Sequence, residues 1–240
     1  MGESKYKPLY YKVKEDIKDK ILNGQYNAGD FLPTESGLCE EYKVSRVTIR
    51  RAIDELIGEN ILERVFGMTA KVKGVPIPRS LNHLSGLYEE MTKAGIKMSS
   101  FILSSEKTRV NEALSEKLGL PADDEVHEIE RLRYANGDPL CYQKIYIPVA
   151  LCAEIDIDKL AKGSLYEIIE KDYGYKISNA YQTISACMSS YKIAALLELK
   201  DVTCMLKVSR ITYLDTGECI EYSENYYVSE RYELSMTLNR

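Results

Sequence analysis

The apolar positions of residues 45–56 define the helix around which the N-terminal third of the chain is organised. Residues recurring at i, i+3, i+4 and i+7 are Ile49, Ala52, Ile53 and Leu56. This spacing predicts a helix with one buried face, and Ser45 before it can cap the free amides of the first turn. Arg46 and Arg50 are four residues apart, so they share another face of the same helix.

A helix that is apolar on one side and basic on another suits the major groove of DNA. There, arginine binds guanine edges, and the hydroxyls of serine and threonine reach phosphates or bases. A solvated surface helix with some basic residues explains the same pattern, so this helix alone leaves both interpretations open.

The flanking segments favour the DNA-binding interpretation. Residues 34–42 predict a second helix capped by Thr34, and only Lys43-Val44 joins it to the third, which is short enough for a helix-turn-helix. After the third helix, residues 61–64 and 70–73 predict two short strands around Gly67, a β wing. Upstream, the apolar residues Tyr10, Val13, Ile17 and Ile21 share one face of a predicted first helix. Residues 1–73 are therefore expected to form a winged helix-turn-helix domain.

An internal repeat organises the rest of the chain. The alternating prolines of residues 74–79 cannot continue a ladder or a helix, so this segment is predicted to be a semi-rigid linker. Beyond it, residues 80–240 begin with an amphipathic helix around Leu84, Leu87, Tyr88 and Met91 and a strand at 100–103. Residues 117–120 then match 196–199, and 130–134 match 209–213, both at an offset of 79.

Each copy of the repeat predicts a short helix, a long strand, a turn and a second long strand. The two hairpins, at 125–147 and 204–228, with a further helix at 165–171, indicate an α+β domain built on an antiparallel sheet. The duplication favours a ligand cleft between the two halves.

Charge divides the 240-residue chain in the same way. The first 73 residues carry 13 Lys and Arg against 12 Asp and Glu, a net charge of +1, and the remainder carries 19 against 25, a net charge of −6. The second domain is therefore not expected to bind nucleic acid, and DNA affinity must come from local arginines in two copies of the chain.

No apolar run approaches the roughly 20 residues of a membrane span, and the N-terminus lacks a signal-peptide core, so a cytoplasmic location is expected. The six scattered cysteines favour reduced thiols.

The motifs of the first half occur in a recognisable order. They are Pro8-Leu9-Tyr10, Ile21-Leu22-Asn23-Gly24, residues 29–35, residues 44–50 and Leu62-Glu63-Arg64. This order closely resembles the GntR family of bacterial transcription regulators. The resemblance implies that Ser45, Arg46, Thr48 and Arg50 contact operator DNA, and that Gly67 brings the wing backbone near the minor groove. The chain departs from the family at Ser36, where arginine is usual, and in the wing, where 67–72 replace Gly-x-Gly-Thr-Phe-Val.

Motifs of the second half point to the same family. They are residues 129–140, Ser164-Leu165-Tyr166-Glu167, Glu221-Tyr222-Ser223 and residues 227–232. They resemble the ligand-sensing UTRA domain of HutC-type GntR regulators, whose fold is similar to that of chorismate lyase. The resemblance implies that the serine, an arginine pair and the first helix of the domain bind the anionic group of effectors such as phosphosugars. The predicted effector-binding residues are Arg131, Arg133, Gln143, Ser164, Tyr166, Glu221 and Tyr227.

Two arginines on one strand face need a counter-anion. Arg131 and Arg133 project from the same side, and burying them without an anion is costly. Salt bridges to Glu128 or Glu130 are the structural alternative, but those residues lie on the opposite face. Ser164 and Glu167 form a capping box, which explains the serine by itself, although a helix N-terminus can also bind phosphate.

The hairpin turn decides which residue faces Arg131. A three-residue loop at 136–138 places Gln143 opposite Arg131, whereas a two-residue loop places Tyr142 there. Relatives that sense amino-sugar phosphates resemble the first arrangement, with Glu where this chain has Gln143. Because the substitution removes a charged acceptor, the same ligand cannot be assumed.

Two other classes of function fit the sequence less well. An enzyme is the first, since the UTRA fold is similar to that of a lyase. His83 and His127 have no metal-ligand spacing, and neither a Gly-rich phosphate loop nor a nucleophile elbow occurs, so no catalytic residue, cofactor or metal is expected. A ligand-free architectural DNA-binding protein is disfavoured by the acidic, duplicated second domain.

The sequence predicts a homodimeric transcriptional regulator, a repressor that binds a palindromic operator and an anionic effector. A non-phosphorylated sugar or organic acid is the alternative effector.

Overall fold

The chain folds into two compact units, Met1–Ile77 and Pro78–Arg240. The computed structural model describes residues 8–27, 29–59, 61–66, 68–73, 77–80 and 83–238. Within these ranges, every helix is too short or too polar to span a lipid bilayer.

The first unit is a winged helix, as the sequence predicts. It contains α1 (Leu9–Leu22), α2 (Glu35–Tyr42), α3 (Arg46–Gly58) and an antiparallel wing of β1 (Leu62–Glu63) and β2 (Lys71–Val72). Thr34 Oγ1 caps α2 by accepting from the Gly37 amide at 3.2 Å, and Ser45 Oγ caps α3 by accepting from the Thr48 amide at 3.3 Å. Between them, Lys43 adopts a left-handed φ of 53°, which ends α2 and turns the chain into α3.

The predicted apolar faces form the core of this unit. Ile49, Ala52, Ile53 and Leu56 of α3 are all buried. They share one cluster with Val13, Ile17 and Ile21 of α1, and with residues of α2 and the wing. Tyr10, the first residue of the predicted apolar face of α1, is only partly buried at the edge of this cluster. Each fully buried aliphatic side chain contributes about 1.5–3 kcal/mol, so the core holds α3 firmly against α1.

The second unit is built on a six-stranded antiparallel sheet. Its strands are β4 (Met98–Arg109), β5 (Glu125–Ala135), β6 (Asp138–Pro148), β7 (Ile177–Met188), β8 (Cys204–Leu214) and β9 (Cys219–Val228), in the order β4-β5-β6-β9-β8-β7. The helices are α4 (Leu87–Lys93), α5 (Glu112–Leu118), α6 (Ile157–Lys162), α7 (Leu165–Glu167), which continues as a π-helical turn (Ile168–Asp172), and α8 (Tyr191–Leu196). A separate pair joins β3 (Ile77–Ser80) to β10 (Tyr232–Ser235).

The internal repeat extends further than the sequence indicates. The pairs β4 and β7, α5 and α8, and β5 and β8 each begin 79 residues apart. The two halves are therefore matched units of strand, helix, strand and strand, and they meet where β6 pairs with β9. The predicted strand at 100–103 is the middle of the longer β4, and β7 was not predicted. Both are edge strands with many exposed positions, so neither has a clear apolar alternation.

The sheet buries both of its faces. On one, Ile129, Ile145 and Leu214 pack with residues of α6 and α7. On the other, α5 covers Val126, and the segment after α8 covers Leu132. Since neighbouring residues of a strand point to opposite faces, Arg131 and Arg133 lie on the α6 and α7 side.

Three local predictions need correction. Ile77–Ser80 form strand β3 in a two-stranded pair with β10, although alternating prolines were predicted to exclude a ladder. Proline is tolerated on edge strands, and both strands of a two-stranded pair are edge strands. Residues 74–76 of the predicted linker lie outside the described residues. Leu84 lies before the start of α4, and the helix predicted at 165–171 is a single α-turn followed by the π-helical turn.

Candidate functional site

The exposed face of α3 carries the predicted DNA-binding residues. Arg46 Nη2 donates to Ser36 Oγ at 3.0 Å, and Arg50 Nε donates to both carboxylate oxygens of Glu35 at 2.8 and 3.1 Å. Ser45 Oγ and Thr48 Oγ1 are 2.9 Å apart. Residues of α2 therefore orient both arginines, and the Glu35 contact uses Nε, so the terminal nitrogens of Arg50 remain suited to a bidentate base contact.

The wing differs from the family pattern in its chemistry. Phe66 is fully exposed and Met68 is 61% exposed, whereas Arg64 forms an ion pair with Asp54 of α3. The wing therefore presents exposed apolar side chains on either side of Gly67. Gly67 itself lies outside the described residues, so its approach to the minor groove stays a prediction.

The β5–β6 hairpin combines the two turn geometries that the sequence left open. Asn136 and Gly137 have φ values of 52° and 94°, which gives a two-residue turn that pairs Ala135 with Asp138. A register shift after Arg133 then moves the pairing by one residue, so that Arg131 pairs with Gln143. The loop is therefore the two-residue loop. The bulge nevertheless places Gln143 opposite Arg131, which is the pair expected of the three-residue loop.

Arg131 is a buried cation held by neutral acceptors. Its side chain is 1% exposed; Nε donates to Gln143 Oε1 at 2.7 Å and Nη1 to the Leu160 carbonyl at 3.2 Å. Burial, together with the neighbouring charge of Arg133, lowers the pKa of Arg131 well below its ordinary value of 12.5. An arginine stays charged in proteins, so this shift expresses how unfavourable the buried charge is, although the Glu221 carboxylate offsets part of it.

The carboxylates on the same strand do not neutralise this arginine pair. Glu128 and Glu130 point to the opposite face, where Lys144 Nζ lies 2.5 and 3.6 Å from their oxygens. The structural alternative of pairing within β5 is therefore wrong. Arg133 is 4% exposed and Glu221 is 3% exposed on the cavity side of the sheet.

Ser164 does more than cap a helix. Its Oγ accepts from the Glu167 amide at 3.4 Å and donates to Glu89 Oε1 of α4 at 2.9 Å. A Cβ atom on Gly86 would lie 3.1 Å from Ser164 Oγ, so the absence of a side chain lets the start of α4 approach closely. The serine therefore links α7 to α4 across the mouth of a cavity.

One cavity of the second unit collects these groups. All seven predicted effector residues line it: Arg131, Arg133, Gln143, Ser164, Tyr166, Glu221 and Tyr227. Tyr227 stacks on Tyr232 with ring centroids 3.8 Å apart. The lining of the cavity combines cations with hydroxyl, amide and aromatic groups, which are the polar groups that orient a ligand in small-molecule sites.

Of the seven further lining residues, only Leu87 and Tyr88 were anticipated, as members of the first helix of the domain. The seven residues are Gly86, Leu87, Tyr88, Leu165, Arg210, Ser223 and Asn225. The sequence held a signal for Arg210, because the offset of 79 maps Arg131 onto it. It gave no comparable signal for Asn225, which hydrogen-bonds the Val208 carbonyl at 3.1 Å.

Comparison with known families agrees with both halves of the chain. The model of bacterial regulatory proteins of the gntR family matches residues 9–72, and the UTRA domain model matches residues 93–233. The chain belongs to the GntR family. Its pairing of a GntR winged helix with a UTRA domain agrees with the HutC-type subfamily.

The relatives of this GntR protein include named repressors. It is 30% identical over 236 residues to the mannosyl-D-glycerate transport/metabolism system repressor MngR of Escherichia coli K12, covering 98% of each chain. It is 28% identical to the transcriptional repressor NagR of Bacillus subtilis 168, covering 97% of this chain and 96% of NagR. The crystal structure of PhnF from Mycobacterium smegmatis shares the fold, with a TM-score of 0.71 at 22% identity over 95% of this chain and 99% of PhnF.

Proposed function

We propose that this GntR-family chain is a transcriptional repressor whose operator binding is modulated by a phosphorylated sugar in the cavity of its UTRA domain. The convergence of Arg131, Arg133 and Ser164 on one buried cavity carries the proposal. Arginine binds phosphate with charge-assisted, often bidentate hydrogen bonds, and a phosphate would compensate a cation pair that burial makes unfavourable.

The remaining predicted residues suit the sugar. Gln143 and Glu221 offer hydrogen-bonding groups to hydroxyls, and the Tyr227 ring offers an apolar surface. Two curated relatives support a sugar derivative, because their names refer to mannosyl-D-glycerate and to fructoselysine. The neutral Gln143 argues against the amino-sugar phosphates of relatives that have Glu there, since no carboxylate from that position would meet the amino group.

The DNA-binding half of the proposal rests on α3 and the wing. Ser45, Arg46, Thr48 and Arg50 would contact the operator in the major groove, and the wing at Gly67 would approach the minor groove. A single winged helix contacts few base pairs, so we expect a cytoplasmic homodimer on a palindromic operator. The exposed apolar residues of the edge strands β4 and β7, such as Phe101 and Tyr181, support an association through the second unit.

Effector binding would act by shifting a conformational equilibrium. A ligand that binds one dimer arrangement better than another shifts the population toward it, and the favoured arrangement would no longer place two copies of α3 at the operator spacing. A thermal-shift screen of sugar phosphates, sugars and organic acids would identify the ligand, because binding only to the folded state raises the melting temperature.

Arg133→Ala then tests the assignment. The variant should lose the thermal shift and the ligand response in a gel shift, and it should retain operator affinity because DNA is contacted by the other unit. A variant that still responds normally, or a wild type that binds only uncharged sugars, would rule out a phosphate site at these arginines.

A further inference from the structure

A third arginine reaches the same cavity from the other half of the repeat. Arg210 of β8 corresponds to Arg131 of β5 at the offset of 79, and both line the cavity. Strands β6 and β9 lie between β5 and β8. Three inter-strand spacings therefore separate the two backbones, about 14 Å across the sheet. The two arginines therefore start from strands on opposite sides of the central β6–β9 pair.

Neutral oxygen atoms surround Arg210. Nε and Nη2 donate to Gln182 Oε1 at 3.1 and 2.8 Å, and Nη1 donates to Tyr166 Oη at 3.2 Å and to the Ser85 carbonyl at 3.4 Å. All four hydrogen bonds therefore orient the guanidinium without neutralising it. Arg131 is held in the same way by a glutamine oxygen and a carbonyl.

One carboxylate lines the cavity, and its charge offsets part of the effect that burial has on the pKa of Arg131. Glu221 Oε2 accepts from Thr212 Oγ1 at 2.8 Å, and Thr212 Oγ1 lies 3.1 Å from Tyr166 Oη. Among the lining residues, three arginines stand against this one glutamate, which leaves a net formal charge of +2. A ligand of matching charge would have anionic groups on both sides of the β6–β9 pair.

We infer that Arg210 forms a second anion subsite, so that the effector carries a carboxylate as well as a phosphate, as a phosphorylated sugar acid does. The phosphate lies at Arg131 and Arg133, and the carboxylate accepts hydrogen bonds from Arg210. This inference rests on the proposed function, because it assumes that the cavity is the effector site. It adds the chemical class of the effector, which follows from the opposed positions of the two arginines.

Matched ligands test this inference on the full-length protein. Glucose 6-phosphate and 6-phosphogluconate both carry a phosphate at carbon 6, and only the second has a carboxylate at carbon 1. Ribose 5-phosphate and its aldonic acid form a shorter pair. Calorimetry on the wild type should show that the acid binds at least about tenfold more tightly in one of the pairs, because a hydrogen bond to a charged group is typically worth that much.

Two variants remove the subsite in different ways. Arg210→Gln removes the charge and keeps a hydrogen-bonding side chain, whereas Gln182→Glu keeps Arg210 and supplies a competing carboxylate at its present acceptor. Both should bring the affinity ratio of acid to sugar phosphate close to one and leave the affinity for inorganic phosphate within about threefold. Gln182 lies on the edge strand β7, so Gln182→Glu remains informative even where Arg210→Gln fails to fold.

The outcomes separate this inference from the proposed function. A wild type with equal affinity for acid and sugar phosphate overturns the inference, as does a preference that persists in Gln182→Glu. Binding of inorganic phosphate without binding of any acid also overturns it. A wild type that binds neither inorganic phosphate nor any of the four ligands contradicts the proposed function itself.

Discussion

Replacing Arg131 by methionine distinguishes a site built for an anion from a structural arginine. Arg131 is 1% exposed, lies beside Arg133 and donates to Gln143 Oε1 and the Leu160 carbonyl. Methionine has a similar length and no charge, so Arg131→Met removes the cation while filling most of its volume.

Two opposing effects set the stability of this variant. Loss of the cation relieves its burial and its repulsion by Arg133, and replacing buried charges by apolar groups is often neutral or stabilising by about 1–4 kcal/mol. Against this, two buried acceptors lose their donor, at about 1–3 kcal/mol each. The midpoints of the two ranges, about 2.5 kcal/mol gained and about 4 kcal/mol lost, nearly offset one another, so the expected net destabilisation is about 1–2 kcal/mol. Phosphate affinity should nevertheless fall at least about tenfold, since a charge-assisted hydrogen bond is lost.

The assay combines urea unfolding, followed by circular dichroism, with calorimetry of inorganic phosphate. Lys144→Met is the matched control, because Lys144 Nζ lies 2.5 and 3.6 Å from carboxylate oxygens of Glu128 and Glu130 on the opposite face. Its removal leaves Glu128 without this cation and Glu130 with Lys192 at 3.4 Å, so it should destabilise the protein by about 1–3 kcal/mol without changing phosphate affinity. If instead Arg131→Met cost more than Lys144→Met and left phosphate affinity intact, Arg131 would be structural and the argument for an anion site would fail.

Three further predictions concern DNA, assembly and pH. Arg46→Ala or Arg50→Ala should lower operator affinity by about 1–3 kcal/mol per half-site in a gel shift, and unchanged affinity in both would contradict the assignment of α3 as recognition helix. Residues 78–240 alone should sediment as a dimer, whereas a monomer at micromolar concentration would disprove assembly through this unit. Burial alone would raise the pKa of Glu59, but hydrogen bonds from Lys14 and Lys18 outweigh it and hold this pKa below its ordinary 4.5. This contribution to stability is present above pH 4.5 and lost as the pH falls through the lowered pKa, so Glu59→Gln should weaken the acid dependence of melting; an unchanged profile would contradict it.

The local features of this chain could be predicted because they depend on spacing within one element. The buried face of α3 follows from its apolar period, and its start follows from the capping chemistry of Ser45. The common face of Arg131 and Arg133 follows from the alternation of a strand. Since both residues lie on β5, no knowledge of the packing was needed to place them together.

The internal repeat also allowed predictions about residues that are far apart in the sequence. A match at an offset of 79 indicated two similar halves and mapped Arg131 onto Arg210. It did not reveal the edge strand β7, whose exposed positions carry no apolar alternation, nor that both arginines line one cavity. Two halves that are similar in sequence can still direct their matching residues to different parts of a domain. The order of the strands in the sheet was therefore needed to show that Arg131 and Arg210 line the same cavity.

Only the tertiary structure decided what each candidate residue touches. The bulge after Arg133 brings Gln143 opposite Arg131 despite the short turn, because a ladder can absorb one extra residue where backbone packing allows it. The contact of Ser164 with Glu89 joins residues 75 positions apart, and the Arg210 contact with Tyr166 joins residues 44 apart. Such contacts depend on how α4 and α7 pack on the sheet, and the energy of that packing is spread over many side chains that no local pattern describes.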